Sequence, residues 1–285
     1  MAKKKQEEEK EMSFLDHLEA LRWHLVRSSI AVVIGAILAF VFSGFIFDQV
    51  IFGPSDPNFI TYQWFCKLST VMGSDNFCNN TIPMDLVNNE LGGQFSMDMW
   101  AAIVVGIIFA FPYIVYEVWK FVKPALYDNE RKHATGGIFY TSLLFLSGVA
   151  FGYFIITPLS INFLANYNVS PKVKNLIDIS SYISTVTMIT LASGVLFELP
   201  VFIYFLSKIG LVTPEFLRKY RRHAIVLNLI ASAIITPPDV VSQIMVALPL
   251  AFLYEVGIVL SARVERQRLA QMKAERLPQK VNENA

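Results

Sequence analysis

The 285-residue chain is 54% hydrophobic and only 16% charged, against roughly 25% charged in an average soluble domain, and its mean hydropathy is +0.47. So few charges would cover the wet surface of a soluble fold poorly, and 23 Phe with a high aliphatic content are the opposite of a disordered composition. What remains is an all-α, polytopic integral membrane protein; a net charge of +1 carries no electrostatic footprint of nucleic acid, and none is expected as a partner.

Residues 1–12, with Lys3-Lys4-Lys5 followed by Glu7-Glu8-Glu9, form a polar tail. They are not a signal peptide, because the first apolar run begins well inside the chain and is too long for an h-region. Ser13-Phe14-Leu15-Asp16 fits a capping box. Phe14, Leu18, Leu21 and Leu25 then recur at three to four residues, the pattern of one apolar helical face. The first helix is therefore expected to start in the cytoplasm and run on into the bilayer.

Six apolar stretches follow: Leu25–Phe47, Met99–Val122, Ile138–Ile156, Ile183–Leu206, Ala224–Ile235 and Val241–Leu260. A crossing helix needs about 20 residues. The first four are long enough to cross, Val241–Leu260 just reaches that length, and Ala224–Ile235 falls short. Charge placement decides whether the short stretch crosses. Of the 24 Lys and Arg, six lie in the segment up to Arg27, four in 120–134, five in 207–223 and six from Arg263 onward. The 48–96 loop has one, Lys67, the 157–180 loop has Lys172 and Lys174, and the 236–240 turn has none. Six crossings collect 21 basic residues on one side and 3 on the other. Both termini are then cytoplasmic, and the last two spans form a short hairpin about Thr236-Pro237-Pro238-Asp239 in locally thinned bilayer. The expected organisation is the 1–12 tail, a six-helix membrane domain over 13–262 and a basic cytoplasmic tail over 263–285.

Cys66 and Cys78 are too few for a disulfide framework. Twelve positions apart in one loop, they can form a single bridge if that loop meets an oxidising compartment. No catalytic constellation is visible, so an enzyme is not expected. His17, His24, His133 and His223 have no metal-ligand spacing with one another or with a cysteine. Gly136-Gly137 opens a helix and reads as packing. No metal or cofactor is expected.

Ionisable residues in apolar spans are the next candidates. Glu198 lies in Leu196-Phe197-Glu198-Leu199-Pro200, and a charge at that depth is costly enough to face protein or a wet cavity. Pro200 frees a backbone carbonyl one turn back, which makes a polar notch. Glu198 is either a functional acid or a hydrogen-bonded partner of a neighbouring Ser or Thr. Glu255 and Glu117 are weaker candidates, and Glu117 is near enough to the helix end to snorkel. Asp239 suits the N-cap of the last span. In the cytoplasmic segment Trp119-Lys120-Phe121-Val122-Lys123-Pro124-Ala125-Leu126-Tyr127-Asp128-Asn129-Glu130-Arg131-Lys132, Pro124 ends one span and Asn129-Glu130 opens the next. Glu130 is either a carboxylate placed to suit the helix dipole or a surface acid for a bidentate guanidinium; spacing alone does not choose. A proton-coupled small-solute transporter with Glu198 as relay is the alternative functional class. It predicts inverted repeats around a midplane site, and no repeat is evident.

Four blocks together resemble the TatC family, the multispanning subunit of the twin-arginine protein translocase. They are S-F-L-D-H-L-E-A-L-R at 13–22, F-P-Y-I-V-Y-E-V-W-K-F-V-K-P-A-L-Y-D-N-E-R at 111–131, F-E-L-P-V at 197–201 and I-T-P-P-D-V-V-S-Q-I-M-V-A-L-P-L-A-F-L-Y-E-V-G at 235–257. The resemblance implies a non-enzymatic receptor in the bacterial cytoplasmic (inner) membrane for folded proteins carrying twin-arginine signal peptides. It implies single-span TatA-type and TatB-type partners, self-association, and transport driven by the proton-motive force. It also implies roles for particular residues. Glu130 matches the loop acid that contacts the arginines, and Phe121, Pro124, Leu126 and Arg131 match its surroundings. Glu198 matches the acid in span four, and Asp239 the far-side aspartate. One departure stands out: the family places a second arginine-binding acid where this chain has Ala20. Glu19 is one position early, a turn of about 100° round the helix, and Asp16 lies one turn before Ala20. Either is a candidate for the missing acid.

Overall fold

The computed structural model describes residues 14–71, 85–122, 134–170, 172, 175–237 and 239–283. Helix α1 (Phe14–Val41) is interrupted at Phe42, then continues as a short α2 (Ser43–Phe45), a π-helical turn (Ile46–Ile51) and a 3-10 turn (Gly53–Ser55). Helix α3 (Ile60–Val71) and strand β1 (Asp85–Val87) occupy the long first loop. Helix α4 (Gly93–Val122) is the second span. The third is α5 (Ala134–Phe151), a π-helical turn (Gly152–Ile156) and α6 (Thr157–Asn166) in succession. Strand β2 (Leu176–Asp178) precedes the fourth span, α7 (Ile179–Phe197) and α8 (Leu199–Lys208). After α9 (Pro214–Lys219) come α10 (Arg221–Ile235) and α11 (Val240–Glu283).

Five segments are long and apolar enough to cross a bilayer: Leu18–Val41, Gly93–Val122, Gly136–Asn166, Ile179–Lys208 and Val240–Ala270. They match five of the six expected spans. The sixth, α10, has 15 residues, about 22 Å at 1.5 Å per residue, which is short of the ~30 Å hydrocarbon core. It packs against α11. The chain is thus an all-helical polytopic membrane protein, and its only strands among the described residues are β1 and β2. These pair in parallel, with Asp85 opposite Leu176 and Val87 opposite Asp178.

The structure adjusts five spans, of which the third runs on past Ile156 to Asn166. The first helix is unbroken only to Val41, not Phe47. The second begins six residues earlier than expected, at Gly93. The fourth is broken at Glu198, where the backbone tightens so that Glu198 N–H donates to Val195 O at 3.1 Å. Pro200 lacks the N–H that would have bonded Leu196 O, which accounts for the break. The last span does not stop near Leu260, because α11 continues to Glu283. On the far side, Asp178 caps α7 by accepting from Ser180 N–H at 2.8 Å. That backbone donor holds the Asp178 carboxyl below its ordinary pKa. Asn89 also donates to Asp178, so β1 and β2 are tied together beyond their ladder.

Backbone-to-backbone contact fixes α1 against α4. A Cβ at Gly106 would sit 2.6 Å from Ala36 N and 2.9 Å from Val32 O, and one at Gly35 would sit 3.0 Å from Gly106 O. Neither helix can approach so closely if a side chain intervenes. Gly106→Ala should therefore force α1 and α4 apart at a cost of ~1–3 kcal/mol. The expected result is a lower unfolding temperature for the purified protein, and an unchanged midpoint would show that the helices separate freely. Gly137 has a similar role, since its Cβ would meet the Trp119 ring at 2.5 Å, whereas Gly136 faces open space. The packing reading of the glycine pair therefore holds for Gly137 alone.

Candidate functional site

The N-terminal part of α1 and the C-terminal part of α4 meet at a buried polar cluster. His24 and Arg27 on α1, three apart, face Glu117 on α4. The His24 Nδ1 is hydrogen-bonded to Glu117 Oε2, and Arg27 Nη1 lies 3.7 Å from the same oxygen. Tyr113 lies one helical turn before Glu117 on α4. Glu117 is only 2% exposed. It is therefore an interhelical tie and not the snorkelling acid expected from its place near the helix end. A buried carboxylate needs such partners, because leaving it unpaired would cost several kcal/mol.

His24 also meets Phe121 edge-on, with ring centroids 5.9 Å apart. Ala20 is one turn before His24 on α1, and Phe121 one turn after Glu117 on α4. The two helices that carry the 13–22 and 111–131 motifs thus converge at one end. The intervening core is aromatic. Val115 and Trp119 are buried against Phe111, Ile138, Tyr204 and Phe205, and Trp119 lies 5.1 Å from Phe205 between ring centroids. These contacts join α4, α5 and α8.

The individual candidates fall as follows. Phe121 is half-buried at the junction, and Glu19 is exposed on α1. Asp16 is within α1, on the turn before Ala20. Pro124, Leu126, Glu130 and Arg131 lie outside the described residues. Glu198 is 6% exposed, at the break between α7 and α8, and its Oε1 is buried with no hydrogen-bond partner among the described residues. The Ser and Thr neighbours that would have satisfied it do not do so at that oxygen. Asp239 is the cap that its position suggested. Its Oδ1 accepts from Ser242 N–H at 2.8 Å, while its buried Oδ2 has no partner among the described residues. Glu255 is not a buried acid; half-exposed, it forms a two-point ion pair with Arg221 that ties α11 to the start of α10, with contacts of 2.8 and 2.9 Å. Cys66 on α3 is disulfide-bonded, and the sequence has one other cysteine, Cys78, outside the described residues.

Sequence reasoning left out His24 and Arg27. The signal was available in principle: Ala20, His24 and Arg27 follow one another at four and three residues on a helix whose N-terminal part is polar. Nothing local, however, indicates that Glu117, 93 positions away from His24, would face them.

The family profile of the Sec-independent protein translocase protein (TatC) matches residues 16–249. The chain belongs to the TatC family. A TatC of Blattabacterium sp. subsp. Periplaneta americana is 41% identical over 266 residues, which are 92% of this chain and 99% of that one. A TatC of Desulforapulum autotrophicum is 34% identical over 257 residues, covering 90% and 86% of the two chains. The crystal structure of a twin arginine translocase receptor TatC is similar with a TM-score of 0.66 and 31% identity, over 87% of this chain and 99% of that one. As a TatC-family protein the chain is a translocase subunit, a component of protein transport and not an enzyme, and this replaces the small-solute transporter alternative. Its fold is that of a multi-pass membrane protein of the bacterial TatC family.

Proposed function

We propose that this TatC-family chain binds twin-arginine signal peptides at its cytoplasmic face, through Glu130 together with Glu19 or Asp16. One observation carries the reading: the contacts of His24 with both Glu117 and Phe121 bring the helix of the 13–22 motif and the helix leading into the 123–131 loop to the same end. An arginine-binding site split between these two motifs needs that convergence. Guanidinium binds a carboxylate through two parallel hydrogen bonds, which an ammonium cannot copy, so two arginines specify two well-placed acids. Phe121, Pro124, Leu126 and Arg131 shape the surroundings of Glu130. Single-span TatA-type and TatB-type subunits complete the translocase, with Glu198 and Asp239 as points of contact or transition, and the proton-motive force drives export. The purified protein should retain a twin-arginine signal peptide and release a Lys-Lys version of it; equal retention of both would sink the assignment.

The orientation belongs to the same proposal. Both ends are cytoplasmic, α10 and the start of α11 form a short crossing hairpin, and the 48–96 loop, with Cys66 bridged to Cys78, lies outside. Reporter fusions after residues 60, 128, 170, 215, 239 and 275 should read out, in, out, in, out, in. An inside signal at 239 would mean that the hairpin does not cross.

A further inference from the structure

A cavity of about 910 Å³ lies between α3 and the outer ends of the third and last spans. That volume is at the upper end of the ~300–1,000 Å³ range of small-molecule sites. One wall is Phe154 and Ile155 from the π-helical turn and Met245 from α11. These residues belong to membrane-crossing segments, so hydrocarbon is the medium that meets them. The other wall is one face of α3. Ile60, Trp64 and Lys67 recur there at i, i+4 and i+7, and all three line the cavity. Trp64 is 72% exposed and Ile60 53%, so neither is used in the core of the chain itself. The face is thus an apolar stripe about two turns long that ends in a cation. Lys67 is the single basic residue of the whole 48–96 loop, and it borders the cavity.

Helix α3 is held in place over the cavity. The Thr61 hydroxyl donates to Phe154 O, and the Tyr62 hydroxyl lies 2.8 Å from Pro158 O and 3.0 Å from Pro54 O. Phe59 stacks on Phe154 at 5.9 Å. The cavity is therefore preformed, which spares a ligand the ordering cost of making it. An apolar trough against membrane-crossing segments, with a tryptophan and a lysine following Ile60 along its α3 wall, has the chemical sequence of a lipid, with the acyl chain beside Ile60, Phe154 and Met245, the glycerol level beside Trp64 and the phosphodiester at the ammonium. We propose that this cavity is a phospholipid-binding site that seats one acyl chain under α3 and holds its phosphodiester at Lys67.

The test uses the full chain in detergent and a phosphatidylcholine brominated on one acyl chain. Quenching that is present in the wild type and absent in Trp64→Phe reports on the cavity. It should saturate with added lipid. The half-saturating concentration should rise roughly five- to tenfold in Lys67→Glu and stay within about twofold in Lys67→Arg, which retains the charge. Lys67 is exposed, so neither change should disturb folding, and circular dichroism checks this. Three results would overturn the proposal: quenching that never saturates, equal affinity in Lys67→Glu, or an unquenched Trp64 shielded by a co-purified polypeptide.

Discussion

Glu130→Gln should weaken signal-peptide binding by roughly 10- to 150-fold, the equivalent of one charge-assisted hydrogen-bonding acid at about 1.5–3 kcal/mol. Exposed ion pairs contribute only about 0–1 kcal/mol, so a receptor for two arginines relies on geometry and partial burial. The family resemblance pairs Glu130 with a second acid, at the position where this chain has Ala20. With only one acid of the usual pair in place, Glu130 should bear more of the binding energy. Glu19→Gln and Asp16→Asn should each have a smaller effect. Ala20→Glu should tighten binding, because position 20 is one turn from His24 on the α1 face that meets α4. A peptide-binding assay on the four variants decides the matter: if Glu130→Gln binds like the wild type, the arginine site does not lie in this loop.

How much of this was legible in the sequence depends on the range of the forces involved. The long spans are local: about 20 apolar residues in a row suffice to specify each. Even the short hairpin was legible, because the basic residues on both sides of Ala224–Leu260 and the capping Asp239 constrain it from outside. The break at Glu198 was half-legible. Pro200 announces a lost hydrogen bond, but whether a helix kinks or divides there depends on the neighbours of α7 and α8. Helix α3 was not legible. Its 12 residues mix Thr, Gln, Cys and Lys with aromatics, and the bond that seats it, Thr61 to Phe154 O, joins positions 93 apart. The three-residue strands β1 and β2 were too short to leave a period. The candidate site shows the same division. Its motifs could be read, and so could its missing acid at Ala20. The His24–Glu117 tie that brings the motifs together could not, because it arises from helix packing that Gly35 and Gly106 permit.

Glu198→Ala should cut transport by roughly tenfold or more while leaving signal-peptide binding within about twofold, on the scale of one polar contact in a dry site. Nearly all buried polar side-chain atoms find a partner, so one that does not calls for a reason. Glu198 Oε1 is buried and without a partner among the described residues, at the break between α7 and α8. An acid retained there at that cost suits a contact that forms only when a partner helix docks or the receptor changes state. The proposed arginine site involves the N-terminal part of α1 and the segment after α4, other elements than α7 and α8, which is why binding and transport should separate. Glu198→Gln preserves shape and most hydrogen-bonding capacity, so it should keep the fold and a larger share of transport than Ala. The measurement is export of a twin-arginine cargo at matched protein levels, alongside peptide affinity for each variant. Wild-type transport in Glu198→Ala would remove the functional role and leave the acid as a packing feature. Equal losses of binding and transport would place it in the peptide site instead.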